Sequence, residues 1–245
     1  MVKKQSQAIL VGLLVLALSA AVARADLFEW EGNSVEGTPI HVTADLSITG
    51  DELTINLANI SGSSSLHPAD VFTSFYFDLT KDVSGTISRP SLLSFSGLGE
   101  LYEGVVGSND NPVGGLGLDD ITSLWLARDD MDVTKIPFLG LGIGTVGNSD
   151  LGPNNFPGLG GLSAGIYAGE ITTQNLTTNP ATPLVKGLGT FTLTFDDLSG
   201  YTIGDKAGFG FGTAPDSLNV VPVPGAALLC LLGLGVAGIR LRKHA

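Results

Sequence analysis

The chain has 245 residues, of which 34 are glycine, about twice the usual share, and only 15% are charged. This composition argues against a helical bundle and favours a loop-rich, β-dominated domain. All 24 acidic residues lie between Asp26 and Asp216 with only six basic residues among them, which leaves a net charge of −18. Such a charge excludes a basic surface for nucleic acid.

Residues 1–25 have the pattern of a secretory signal peptide. Lys3 and Lys4 precede an apolar run over 8–18, which is too short to span a membrane. Ala23 and Ala25 are the small residues at positions −3 and −1 of a cleavage site, so we predict cleavage after Ala25, with cleavage after Ala23 as the alternative. The sequence therefore predicts a protein that the export machinery delivers across a membrane.

Residues 26–219, called the body below, predict an all-β fold: an antiparallel β-sandwich of the jelly-roll type. Apolar and polar residues alternate strictly over 39–48. Residues 53–60 resume the pattern with Leu53, Ile55 and Leu57 inward, and the turn between the two segments predicts a hairpin. Similar alternation predicts strands at 71–79, 189–198 and 206–214. Weaker candidates are 28–31, 83–88, 101–106, 122–127 and 163–168. About eight to ten short strands without a long amphipathic helix are typical of a sandwich.

Residues 107–162 differ from the rest of the body. They are rich in glycine, asparagine and proline with scattered leucines, as in "GLGLDD" and "GLGIGTVG". We predict long loops here. The glycine runs lack the strand–turn–helix context and the lysine of a phosphate-binding loop.

Residues 220–245, called the tail below, combine prolines, an apolar run and a basic end. Pro222 and Pro224 precede 15 uncharged residues, 225–239, which predict a short transmembrane helix. Arg240, Arg242 and Lys243 follow, and the positive-inside rule keeps such a cluster in the cytoplasm. The body would then be exported and held at the membrane through the tail, and a permanent single-span anchor is the alternative.

This three-part order resembles the PEP-CTERM sorting signal of bacterial exosortase systems. The motif is Val221-Pro222-Val223-Pro224-Gly225-Ala226, with Val223 where that family usually has glutamate. The resemblance implies transient retention in the membrane and cleavage near the motif by an exosortase-type membrane protein. It further implies release or attachment at the cell surface or in the extracellular matrix, in some cases alongside exopolysaccharide.

The body offers little for catalysis. Its two histidines, His41 and His67, have no accompanying G-x-S-x-G motif. Neighbouring aspartates occur at three separate places along the body. These candidate carboxylates are Asp119, Asp120, Asp129, Asp130, Asp132, Asp196 and Asp197. Paired carboxylates can hydrolyse glycosides, but acids at strand ends are usually turn residues, so we predict no enzymatic activity and no cofactor.

Two other interpretations stay open from the sequence. Oxygen ligands at 108–111 and 128–132 would suit a structural Ca²⁺, although no EF-hand spacing is present. A face lined with aromatic residues would favour a permanently anchored carbohydrate-binding or adhesive module. The candidates for such a face are Trp30, Trp125, Tyr102, Tyr167 and Tyr201. A secreted hydrolase is the remaining alternative.

Overall fold

The computed structural model describes residues 25–65, 67–81, 89–103, 111–112, 117–131, 140–145, 164–169, 183–212 and 219–222. This part of the chain is mostly β-sheet and contains no α-helix, which confirms the all-β prediction. The strands are β1 (Ala25–Asn33), β2 (Pro39–Thr49), β3 (Glu52–Asn59), β4 (Phe72–Lys81), β5 (Leu92–Glu103), β6 (Asn111–Pro112), β7 (Asp119–Asp120), β8 (Leu126–Arg128), β9 (Leu141–Gly144), β10 (Ile166–Tyr167), β11 (Leu184–Phe195), β12 (Tyr201–Phe211) and β13 (Asn219–Pro222). Two short 3₁₀ turns cover Pro68–Asp70 and Thr122–Leu124.

The first three strands form an antiparallel meander, as the alternation predicts. Phe28 of β1 lies opposite Ala44 of β2, which lies opposite Leu57 of β3, and all three side chains are buried. Gly50 turns the chain between β2 and β3 with a φ of 62°, a backbone conformation that glycine adopts without steric cost. The predicted hairpin is therefore confirmed.

All described strands belong to one sheet with the main order β1-β2-β3-β11-β10-β4-β12-β13. Strand β5 pairs on the side with β11, and β9 pairs with β4. The pairs are antiparallel with one exception, because β10 is parallel to β11 and antiparallel to β4. The prediction of a purely antiparallel sheet was wrong at this point: β10 lies between two strands of opposite direction and must be parallel to one of them.

Two strands were missed by the sequence reasoning because glycine replaces the residues that reveal a period of two. In β5, Gly97 and Gly99 occupy inward positions, where a Cβ atom would lie 2.9 Å from the Phe191 ring and 2.8 Å from Val185 respectively. In β9, glycines alternate with the buried Leu141 and Ile143. The prediction that 107–162 is loop was therefore wrong for β9, which pairs along the middle of β4, and for the two-residue strands β6 and β7, which pair with β5.

The weaker strand predictions have mixed outcomes. Residues 28–31 lie within β1, and 101–106 overlaps the end of β5, which begins nine residues earlier than predicted. Residues 122–127 begin with a 3₁₀ turn before β8, and only two residues of 163–168 form a strand. Residues 83–88 lie outside the described part of the chain.

Aromatic rings fill the core. Phe75 of β4 contacts Phe28 of β1 and Phe209 of β12, with ring centroids 6.4 Å and 5.3 Å away. Trp30 of β1 packs on Phe211 of β12 at 5.0 Å. Strands that lie far apart in the sheet order are thus brought into contact across a shared apolar interior.

We expect Gly97→Ala to destabilise the fold by about 1–3 kcal/mol, because its Cβ would press on the Phe191 ring and on Ile121. Gly62→Ala is the matched control, since nothing lies within 4 Å of the added atom there, and its effect should stay within about 0.5 kcal/mol. Urea unfolding of the purified body measures both. Equal stabilities of the Gly97→Ala and Gly62→Ala variants would contradict the tight fit of β5 on β11. If Gly97→Ala costs less stability in a Phe191→Leu background than in the wild type, the tight fit is supported.

Candidate functional site

The first residues of the predicted sorting motif lie in the last strand of the sheet. In β13, Val221 pairs with Ala207 and Pro222 pairs with Lys206 of β12. Among the described strands, β13 ends the sheet order and has β12 as its ladder partner on one side, and it also lies close to β1. Proline has no amide hydrogen, and it is tolerated in an edge strand because no neighbouring strand on the open side needs that donor. The strand starts at Asn219 and so includes the junction between the predicted body and tail.

Most of the other predicted sorting residues lie outside the described part of the chain. These are Ala23 of the signal cleavage site, Val223, Pro224, Gly225 and Ala226 of the motif, and Arg240, Arg242 and Lys243 of the basic end. Ala25 is described and begins β1, where its backbone is opposite Ser47. Across the described ranges, no helix is both long and apolar enough to cross a membrane.

Both body histidines have local structural contacts. His41 of β2 forms an exposed hydrogen bond with Glu29 of β1 between Nε2 and Oε1. The backbone amide of His67 donates to Oδ2 of Asp70 at 2.9 Å, at the start of the first 3₁₀ turn. Each side chain or backbone group thus serves its own strand pair or turn.

The acidic pair at β7 fixes the chain around β5. Asp119 Oδ2 accepts a hydrogen bond from the Leu101 amide at 3.2 Å, and Asp120 Oδ1 accepts one from the Thr122 amide at 2.9 Å. Hydrogen bonds from the Thr122 hydroxyl and amide lower the pKa of Asp120. A lowered pKa suits a turn-capping carboxylate and is the opposite of what a general acid needs.

The acids after β8 are also engaged by neighbouring groups. Asp129 Oδ2 accepts from the Leu92 amide at 2.8 Å. Asp130 receives a two-point contact from Arg128, with Nε at 2.7 Å and Nη2 at 2.8 Å, and this hydrogen bonding lowers the pKa of Asp130. Asp132 lies outside the described residues. Asp129 therefore ties the end of β8 to the start of β5, and Asp130 holds the Arg128 side chain of β8.

Asp196 and Asp197 shape the turn between β11 and β12. Asp196 Oδ1 accepts from the Ser91 amide at 2.8 Å, and Asp197 Oδ1 accepts from the Ser199 amide at 2.7 Å. Hydrogen bonds from Ser199, with a smaller effect from Lys81, lower the pKa of Asp197. The glycosidase interpretation needs one carboxyl group with a raised pKa, whereas the pKa values of Asp120, Asp130 and Asp197 are lowered.

Asp78, a carboxyl group with a raised pKa, is one that the sequence reasoning missed. Burial raises the pKa of Asp78 on β4, and the charge of Arg89 opposes that rise. Arg89 Nε lies 3.7 Å from Asp78 Oδ1, and both side chains are largely buried. Gly140 lies against the same guanidinium group, which occupies the place where a Cβ atom would project. Only tertiary contacts reveal this ion pair, because its two residues are 11 positions apart and belong to no recognisable sequence motif.

The face of β4 that carries Asp78 is buried from Phe72 to Tyr76. Ser74 and Tyr76 on this face have no solvent exposure, although strand alternation predicts only one buried face. Glycines lie opposite Tyr76 on both sides, Gly142 of β9 and Gly208 of β12. Burial raises the pKa of Tyr76 to about 12, against a smaller lowering by the Ser74 hydroxyl, so the phenol stays protonated at neutral pH.

The aromatic residues considered for sugar binding do not share one surface. Trp125 and Tyr167 are buried, and the Trp125 indole donates to the Ala164 carbonyl at 2.9 Å. Trp30 packs on Phe211 as described above. Tyr102 and Tyr201 lie on different strands, each under a lysine ammonium group, Lys186 at 5.0 Å and Lys81 at 4.8 Å from the ring centres.

No group of three or more histidine, cysteine or acidic side chains is placed to hold a metal ion within the described ranges. Residues 108–110 and Asp132, which belong to the calcium interpretation, lie outside those ranges. Comparison of the chain with protein families, with curated proteins and with solved structures found no match.

We expect the contribution of Asp78 to the stability of the fold to fall as the pH rises from 3.8, the ordinary pKa of an aspartate, toward the raised pKa of Asp78 in the folded chain. The folded chain holds this proton more tightly than the unfolded chain, so deprotonation favours unfolding in that window. The unfolding free energy of the wild type minus that of Asp78→Asn should therefore decrease as the pH increases, as measured by urea unfolding at several pH values.

Asp130→Asn is the control for the opposite sign. Arg128 lowers the pKa of Asp130, so its stabilising effect is lost as the pH falls through the range below 3.8. The difference between wild type and this variant should grow with pH. If Asp78→Asn behaved in the same way, attraction by Arg89 would outweigh burial, and our assignment for Asp78 would be wrong.

Proposed function

We propose that this chain is an exported, non-catalytic protein of the cell surface or extracellular matrix, sorted through its C-terminal tail. The signal peptide directs the body out of the cytoplasm. The tail holds it in the membrane until an exosortase-type enzyme cleaves near Val221–Ala226. The carrying observation is the order of motif, apolar run and basic end in residues 221–243.

Charge supports this division of labour between body and tail. The body's net charge of −18, from 24 acidic and six basic residues, favours solubility and disfavours contact with anionic lipid surfaces. The three basic residues of the tail follow directly after its apolar run. The tail is therefore the segment suited to the membrane, and the body is suited to the aqueous side.

The contacts of the acidic residues support a non-catalytic body. The described members of the three candidate pairs accept main-chain hydrogen bonds or bind Arg128. A general acid must be free to protonate a substrate and needs a raised pKa. These carboxylates instead stabilise turns between strands.

We further propose that the body is a two-layer sandwich of the jelly-roll type. The contacts from Phe28 to Phe75 and from Trp30 to Phe211 support it, because they join β1 to strands at the other end of the sheet order. Sheets that pack face to face interdigitate such inward side chains.

Mass spectrometry of both termini tests the sorting proposal in the cells that make the protein. We expect the mature chain to begin at Asp26 and to end between Val221 and Gly225. Replacing Arg240, Arg242 and Lys243 together by glutamine should abolish membrane retention and reduce cleavage at least tenfold, because the basic stop is lost.

The matched control keeps the charge: Arg240→Lys, Arg242→Lys and Lys243→Arg should leave retention and cleavage intact. A wild-type chain that stays in the membrane with Ala245 still present would overturn sorting by cleavage and favour the permanent anchor. A chain recovered with its signal peptide and tail in the cytoplasm would overturn export altogether.

A further inference from the structure

The sorting motif follows the folded sheet without a spacer. The backbone of Val221 and Pro222 is already paired with β12 when β13 is in place. Pro224 is two residues further on, and the apolar run starts at Gly225. The segment to be cleaved is thus partly a component of the fold.

This arrangement limits how far the body can stand from the membrane. Gly225 follows Pro222 after three residue steps, which span at most about 10 Å when fully extended. If β13 leaves the sheet, the last described attachment before it is Gly212, whose amide donates to the Val71 carbonyl, and the 13 residue steps from there to Gly225 could reach up to about 45 Å. Only the second distance leaves room for an enzyme between the membrane and a body that carries many negative charges.

Backbone hydrogen bonding also requires β13 to leave the sheet before an enzyme can bind the segment. Enzymes that cleave peptides commonly bind an extended segment by adding it as a strand. Residues 219–222 already use one edge of their backbone for β12. The segment and the bulky sheet behind it would not fit together into a cleft shaped for a single strand.

We propose that release of β13 from β12 controls cleavage of the tail, so that the enzyme acts on chains in which Asn219–Pro222 has left the sheet edge. This inference rests on the proposed function, because it concerns the same processing site. It makes the sheet edge a regulator of when the body is released from the membrane.

Several features of the sheet favour such a release. β13 has four residues and forms the end of the sheet order. Its last residue is proline, and the pairing of β12 with β4 shifts register between Ile203 and Ala207, next to the partner of Pro222. Short edge strands beside a bulge open more readily than central strands such as β4.

The test changes the strand and leaves the motif unchanged. Amide groups of successive strand residues point to opposite sides, so either Asn219 or Val220 directs its amide toward β12. Replacing both by proline, Asn219→Pro with Val220→Pro, removes that amide whichever it is. Replacing both by threonine is the matched control, because threonine keeps the amide and favours strands.

A third variant carries a flexible Gly/Ser linker of about ten residues between Val220 and Val221, which separates the motif from the sheet without proline. Pulse-labelling of the full chain in its own cells gives the rate at which the precursor is shortened. Hydrogen exchange on the purified precursors reports whether β13 is released. We expect the proline and linker variants to be shortened at least threefold faster than wild type, and the threonine control at the wild-type rate.

Shortening of all four chains at one rate, with exchange showing β13 released in the proline variant, would overturn control by β13 and leave sorting by cleavage intact. If neither wild type nor any variant were shortened, the proposed function itself would fail. Slower shortening of the proline variant with β13 released would also overturn the inference, because it would mean that the enzyme recognises the paired strand.

Discussion

Phe75 provides the contact on which the arrangement of this sheet depends. Its ring lies between Phe28 of the first strand and Phe209 of β12, and it stacks on Phe77 of its own strand. Burying such rings supplies the main driving force for folding. The body has no disulfide to add to it, because the one cysteine of the sequence lies in the tail. The same contact brings β1 near β12 and thereby decides where β13, and the motif that follows it, leaves the body.

The acidic character of the body has two separate physical origins. Part of it is turn chemistry, in which carboxylates such as Asp51, Asp120 and Asp196 accept hydrogen bonds from main-chain amides where strands end. Other carboxylates, such as those of Glu36 and Glu52, are exposed charges that favour solubility. Neither requires an active site, and Asp78, whose pKa is raised by burial, lies largely buried beside Arg89.

Sequence patterns predicted the strands that follow a simple alternation and failed where glycine replaces an inward side chain. Strands β2, β3 and β4 alternate clearly, and their predicted positions are confirmed to within two residues. β5 was largely missed because Phe191 and Val185 of β11 fill the space above Gly97 and Gly99. Such a fit between two strands is invisible in either strand alone, and the burial of both faces of β4 was missed for the same reason.

By itself the sequence determined the all-β class, the acidic body and the three-part pattern of the tail, because composition and hydrophobic period act locally along the chain. The tertiary structure alone decided that β10 is parallel to β11, that Asp78 meets Arg89, and that the candidate carboxylates serve as turn caps. It also decided that Val221 and Pro222 belong to the sheet edge. These features depend on pairing between residues distant in sequence, since a backbone group or a charge acquires its partner only when the chain folds.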